Sequence, residues 1–443
     1  MDTEAGLGSL PHSPATERPV PEAEAGLVRS WQAGGGQLVE LLAQVRQEVG
    51  GVAAFRLGPN PTVLVTDPDA VQHVLARHPD RYVKRSHRAR LLVGDGVLSA
   101  TGEAWKRQRR LLQSQFTGTG MRRYERRITE AARTAAERWE SYARTGQTFD
   151  VGEEMRRFAL DAIWRSLTGH ALDDGTEREL EAVSAVGAAL PTLPADVTDA
   201  EAAVAADLAR IDAVARRAIE AARRGTAGPD GPGLLHVLVD AAGERPEYTD
   251  RLIRDELVTL LAAGHETTAT TLTWLHLLLD RHPAAREQAL DAGEEGSAER
   301  REAVRALVHE ALRLYPSAWL LPRHAAEDDL LAGYTVEAGT DVLVCPYLTH
   351  RDPELWPDPE HFDPRRFTAP GGRPGHPGAY FPFGIGPRAC LGLQFALQES
   401  TVLLEHLLPV HTPVLAATPT KARFGLTVRP DGPVPATLTP PRN

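Results

Sequence analysis

The longest apolar stretch of the chain, residues 257–279, limits what can be built around it. It approaches bilayer-spanning length, but His265, Glu266 and a series of threonines interrupt it, which makes it too polar for a spanning segment. Such a stretch belongs in the interior of a large helical protein. Gly264 costs about 1 kcal/mol inside a helix, and threonine hydroxyls compete for their own backbone carbonyls, so the helix is expected to loosen there. A loosened turn can hold water and a diatomic ligand against a cofactor face, and the acid–alcohol pair Glu266–Thr267 can pass protons to it. Taken alone, the same residues describe a kinked core helix equally well. His265-Glu266 also begins like a zinc-protease motif, but Ala269 stands where the second histidine is needed.

The second informative stretch is Phe381-Pro-Phe-Gly-Ile-Gly-Pro-Arg-Ala-Cys390-Leu-Gly392. Gly384, Gly386 and Pro387 predict a tight loop whose backbone can approach a flat ligand. Cys390 then opens a run, residues 391–408, with helical periodicity, and a helix N-terminus is expected to lower a thiol pKa. Arg388 adds a fixed cation able to meet a carboxylate. A thiolate-ligated haem with charged propionates needs these groups. A buried free cysteine is the plain alternative, and Gly384-x-Gly386-x-x-Ala389 is a weak dinucleotide fingerprint lacking its βαβ surroundings. No cluster of cysteines or histidines suggests zinc.

At fixed offsets, Phe383-x-x-Gly386-x-Arg388-x-Cys390-x-Gly392-x-x-x-Ala396 resembles the haem-binding signature of the cytochrome P450 family. Ala263-Gly264-x-Glu266-Thr267-Thr268 is similar to that family's oxygen-activation motif, with His265 in the variable position. Glu310-x-x-Arg313 followed by Arg366 looks like its Glu-Arg-Arg triad, and Trp105-x-x-x-Arg109 like its propionate-binding pair. The resemblance, closest to the eukaryotic-like bacterial branch, spans nearly the whole chain. It implies haem b bound through Cys390, over a loop that includes Phe383 and Gly384. It further implies propionates held by Trp105, Arg109, Arg323 and Arg388, and protons delivered by Glu266 and Thr267. The implied reaction inserts one oxygen atom from O2 into a hydrophobic small molecule. Electrons would come from NAD(P)H through a separate ferredoxin and ferredoxin reductase. Two rival readings remain, a peroxide-driven or non-redox haem-thiolate enzyme and a haem sensor. Glu266 and Thr267 argue against the first, and the lack of an output segment against the second. The substrate pocket implied by the family's contact regions comprises residues 91–98, 260–264, 319–321 and 424–427.

Length and pattern agree with an α+β protein dominated by helices, which the family implies is a triangular helical prism with a small β region and the haem between the long central helix and the cysteine loop. The 443 residues show no internal linker, so one domain is expected over residues 26–443, after a poorly ordered proline- and acid-rich start over 1–25. Residues 52–57 and 62–66 predict a hairpin, residues 67–262 are mostly helical, and short strands are expected in 330–344 and 412–438. Two cysteines in unlike contexts argue against a disulfide and for a reducing compartment, and the acidic start resembles no leader or anchor, so a cytoplasmic monomer is expected. Net charge of −11 disfavours nucleic acid and anionic membranes. Against that average, residues 106–127 carry eight basic residues (Lys106, Arg107, Arg109, Arg110, Arg122, Arg123, Arg126, Arg127) and one acid, Glu125. This is either a solvated helical face or a docking patch for an acidic electron carrier.

Overall fold

A computed structural model describes residues 18–85, 87–194, 196–229, 231–416 and 421–438. The chain begins with a short strand β1 (Arg18–Pro19), helices α1 (Ala25–Gly34) and α2 (Leu38–Val49), and the hairpin β2 (Val52–Phe55) and β3 (Thr62–Val65). The expected loose start over 1–25 lies partly outside the described residues. From Arg18 onward it is corrected: β1 pairs in parallel with β8 (Tyr334–Val336), and Ala23 N–H donates to Ala54 O.

Helices then dominate: α3 (Pro68–Gln72), α4 (Arg90–Val93), α5 (Gly102–Gln113), α6 (Thr119–Thr145), α7 (Val151–Thr168), α8 (Asp174–Ala189), α9 (Val197–Arg223) and α10 (Leu234–Glu244). Among the described residues, the short strands β4 (Tyr82–Val83) and β5 (Phe149–Asp150) interrupt them. The central α11 (Asp250–Arg281) is followed by α12 (Pro283–Asp291), α13 (Ala298–Leu314), α14 (Pro346–Thr349) and α15 (Leu393–Leu407). Their starts are written locally. Asp150, Asp173, Asp196, Thr249 and Ser297 each accept a first-turn N–H with a side-chain oxygen. Gly146 and Gly169 end α6 and α7 in the left-handed conformation.

The strands β6 (Leu321–Ala325), β7 (Asp329–Leu331) and β9 (Asp341–Val344) complete the main β region with the others. One sheet has the order β2-β3-β9-β6-β4, in which β3 and β9 are parallel and the other pairs antiparallel. Near the end β10 (Pro413–Leu415), β11 (Ala422–Phe424), β12 (Val428–Pro430) and β13 (Pro435–Leu438) form short pairs. The expected hairpin and terminal strands are present.

What positions the site is the division of α11 between two cores. Its first half (Ile253, Leu257, Val258, Leu260, Leu261) packs with α7, α8, α9 and α10. Its second half (Leu272, Trp274, Leu275, Leu278) packs with α6, α13 and α15. Between the two halves burial lapses: Ala263 is exposed, and Gly264, Glu266 and Thr267 are half-buried. The helix nevertheless runs unbroken through Gly264, so the loosening expected there does not occur. Thr267 Oγ1 instead donates to Ala263 O at 2.8 Å, bonding within the turn without opening it. Gly264 serves packing, because a Cβ there would come within 3.1 Å of the Ile163 side chain on α7.

Candidate active site

The cysteine loop is held by its own backbone. Gly384 N–H donates to Phe381 O (2.9 Å), Ala389 N–H to Gly386 O (3.0 Å) and Cys390 N–H to Phe383 O (2.8 Å). Gly384 and Gly386 adopt φ of 67° and 75°, where a side chain is strained. At Gly386 the close approach is to protein backbone. A Cβ there would lie 2.1 Å from Leu75 O, so the glycine lets the loop touch the turn of π-helix at His73–Arg77. Phe383 packs against the core cluster to which α13 and α15 contribute.

Cys390 is exposed, whereas Cys345 is buried and pushed by burial to about 12. Enclosure by protein raises Cys390 above its ordinary value, and the Gly392 N–H and the Arg109 charge offset only part of that. The helix itself starts at Leu393, three residues beyond the sulfur.

Around this sulfur the structure gathers cations. Arg388 Nη1 donates to Ala100 O at 2.9 Å, and its guanidinium lies 4.0 Å from the Trp105 ring centroid. Burial, then Arg109, pulls Arg388 down to about 10, and burial, then Arg388, does the same to Arg323. Arg109 is lowered by burial and raised by Cys390, on the same face of α5 as Trp105. One member was not expected. Lys84 donates to Leu98 O at 2.9 Å, and burial followed by Arg323 and Arg388 brings its ammonium down to about 7. Among the described residues, none of these four cations is ion-paired with a carboxylate. Converging, partly desolvated cations beside an exposed cysteine fit a thiolate-bound haem with two propionates.

The acid side of the site lies on α11. Glu266 is half-buried, and Ser184 of α8 donates its hydroxyl to Glu266 Oε1 in a short hydrogen bond. Burial would raise the Glu266 carboxyl, but the hydrogen bond and charge of His265, the Ser184 hydroxyl and the Arg429 charge outweigh it and bring it to about 2. Below α11, Thr268 Oγ1 donates to Glu399 Oε1 at 2.7 Å. Glu399 is fully buried on α15, and burial holds its carboxyl well above the ordinary range. Ser184 and Glu399 carry no motif of their own; only an acid on the apolar face of α15 hinted at the latter.

The Glu-Arg-Arg group is assembled as expected, on a helix longer at its start than the predicted 304–315. Arg313 Nε and Nη2 each bond Glu310 at 2.8 Å, both side chains are fully buried, and Asp363 N–H adds 2.9 Å to the same carboxylate. Arg366 reaches Glu310 at 3.4 Å and donates to Asp358 O at 3.0 Å. Trp319, expected to wall the pocket, is instead core: its Nε1 donates to Gly425 O at 2.9 Å and its ring meets Phe424 edge-on. Two of the eight basic residues leave the surface patch, because Arg127 is buried and bonds Ser166, Gly231 and Pro232 carbonyls, while Arg109 turns toward the sulfur.

Comparison with known proteins gives the family. The cytochrome P450 family profile matches residues 25–412. Cyclooctatin synthase of Streptomyces melanosporofaciens is 33% identical over 80% of this chain and 81% of its own. Cyclooctat-9-en-7-ol 5-monooxygenase of the same organism is 31% identical, with 80% and 81% covered. The crystal structure of the cytochrome P450DA heme domain superimposes with a TM-score of 0.83 at 26% identity, covering 96% of this chain and 98% of that one. No helix among the described residues is long and apolar enough to cross a membrane. With the cysteine loop, the cation cluster and these relatives together, the chain belongs to the cytochrome P450 family and is a haem-iron monooxygenase.

Proposed function

We propose that this monooxygenase oxidises a hydrophobic terpenoid or polyketide of bacterial secondary metabolism, as a single-domain, cytoplasmic monomer. The observation that carries the substrate reading is the apolar tip of the β11–β12 hairpin. Leu426 is 58% exposed there, and a Cβ on Gly187 of α8 would lie only 3.8 Å from its Cδ2. An exposed leucine beside a helix glycine gives this side an apolar surface suited to a greasy ligand. Two Streptomyces relatives, a cyclooctatin synthase and a cyclooctat-9-en-7-ol 5-monooxygenase, support a small-molecule substrate of bacterial origin.

In this reading Cys390 ligates haem b, which when bound supplies oxygen activation and C–H oxidation. Phe383 and Gly384 shape the loop under it, and Lys84, Arg109, Arg323, Arg388 and the Trp105 indole neutralise its propionates. The Glu310–Arg313–Arg366 group braces that loop. On the opposite side Glu266 holds the proton supply and Thr267 orients it. Reducing equivalents come from NAD(P)H through a ferredoxin and its reductase, docking on the exposed basic residues of α5 and α6. Titrating the purified holoenzyme with a library of terpenoids, polyketides and polar controls, and following the haem band, tests the substrate class. Apolar members are expected to shift the band and to be oxygenated with NAD(P)H and redox partners. A response confined to polar compounds sinks the reading. Turnover with hydrogen peroxide alone, matching that with partners, favours the peroxide-driven alternative.

A further inference from the structure

A proton count at the junction of α8 and α11 leads beyond the acid–alcohol pair. His265 is fully buried, and its Nδ1 lies 2.6 Å from Leu261 O. A carbonyl only accepts, so Nδ1 carries a hydrogen and donates. His265 Nε2 lies 3.0 Å from Ser184 Oγ and 3.4 Å from Glu266 Oε1, and Ser184 Oγ bonds the same Glu266 oxygen. With a neutral imidazole and an ionised carboxylate, Nε2 and the carboxylate would both be acceptors. The serine has a single hydroxyl hydrogen for two of them. One extra proton resolves the shortage in either of two ways. Carried on Nε2, it is donated to Ser184, whose own hydrogen goes to Glu266. Carried on Glu266, it is donated to Ser184, whose hydrogen goes to Nε2.

We propose that His265, Ser184 and Glu266 hold one shared proton, and that Ser184 and His265 are positioning residues that return it to the Glu266 carboxyl before each delivery toward Thr267. The transfer balances within the triad. The Nε2–H bond breaks as an Oγ–H bond forms, the original Oγ–H breaks as the Glu266 O–H forms, and the charges on imidazolium and carboxylate cancel. The proposal rests on the reading of Glu266 as the proton-bearing acid. The charged groups facing it are His265 beside it on α11 and Arg429 from the β11–β12 hairpin, and Arg429 favours the resting ion-pair form. The side chains differ in access: His265 is 1% exposed and Glu266 20%, so the proton enters and leaves at the carboxylate end.

Two measurements test this. In 15N-histidine-labelled ferrous–carbonyl holoenzyme, the extra proton is expected either on His265, with both ring nitrogens then protonated, or on the Glu266 carboxyl, read by infrared spectroscopy. The signal is assigned by its loss in His265→Gln. A neutral His265 beside a carboxylate that is ionised by infrared spectroscopy overturns the proposal. In Ser184→Ala, the fraction of electrons recovered in product is expected to fall roughly 10-fold, the balance appearing as hydrogen peroxide, with an altered solvent isotope effect and unchanged substrate affinity. Ser184→Thr, which restores a hydroxyl, is expected to recover coupling. Wild-type coupling and isotope effect in Ser184→Ala overturn the relay. If Glu266→Gln also couples normally, it is the underlying acid assignment that fails; if only Ser184→Ala does, the failure is confined to the relay.

Discussion

A cation buried among cations is a liability until an anion reaches it, and Lys84 is such a residue. Its ordinary value of 10.5 falls to about 7 in the folded chain, because of burial first and then Arg323 and Arg388. Between those values the unfolded chain binds more protons than the folded one, so the stability of haem-free protein rises with pH from about 7 to 10 and the penalty is complete below that window. Haem-free Lys84→Met is therefore expected to be more stable than its parent by roughly 3 kcal/mol at pH 7 in denaturant titrations, with a flatter pH dependence. With haem bound the sign reverses, and the variant loses haem faster to a haem acceptor protein. A haem-free variant no more stable than the parent contradicts this account. Glu310 makes the opposite case, a carboxylate whose partners are all in place. Glu310→Ala strands a fully buried Arg313, at a cost of roughly 3–5 kcal/mol, and haem content per chain is expected to fall with the unfolding midpoint. Unchanged values for both would remove the bracing role. These two residues also divide what a linear reading can find. Cys390, Arg388 and Glu310–Arg313 were legible because short spacing carries their chemistry. Lys84 was not, since its meaning comes from Arg323 and Arg388, hundreds of residues away, although it is one of only three lysines in an arginine-rich chain.

Elements were legible where period and caps agree, and misjudged where tertiary packing decides. The threonine-rich centre of α11 suggested a loosened helix, yet burial of its two halves in separate cores keeps the hydrogen-bond ladder intact. What that division leaves exposed is a patch of helix face around Ala263, a feature that only the assembled cores can produce. The glycines of the cysteine loop show the same lesson. Gly384 and Gly386 look alike in sequence and both have positive φ, but only Gly386 faces backbone at close range. Gly384→Ala is expected to cost about 1–2 kcal/mol, the strain of a left-handed alanine, and to keep most of its haem. Gly386→Ala adds a Cβ 2.1 Å from Leu75 O, so loop and π-turn must separate. Its haem incorporation is expected to drop severalfold below that of Gly384→Ala under identical expression. Equal losses would mean that the loop is held by φ alone and that contact with residues 73–77 is incidental.

At the scale of the whole molecule, charge is distributed unevenly. The chain carries a net −11, yet exposed Lys106, Arg107, Arg110, Arg122, Arg123 and Arg126 lie on α5 and α6, the former of which also bears Arg109 beside the sulfur. Several are already engaged: Lys106 with Glu103 at 2.7 Å, Arg107 with Glu247 at 3.8 Å, and Arg123 with Gln115 at 2.7 Å. Among the described residues, Arg110 and Arg122 have no such partner, so their charge is available to an approaching acidic protein. Reversing both, in Arg110→Glu/Arg122→Glu, is expected to slow reduction by an acidic ferredoxin roughly 10-fold or more at low ionic strength, while leaving haem content and substrate affinity unchanged. The gap should close as salt rises, since charges are screened over about 10 Å at 0.1 M. Arg144→Glu, an exposed reversal at the far end of α6, separates the two explanations. A local patch predicts that it reduces at the parental rate. If it slows reduction per charge as much as the double variant does, net charge governs encounter and the basic face of α5 and α6 is only a solvated surface.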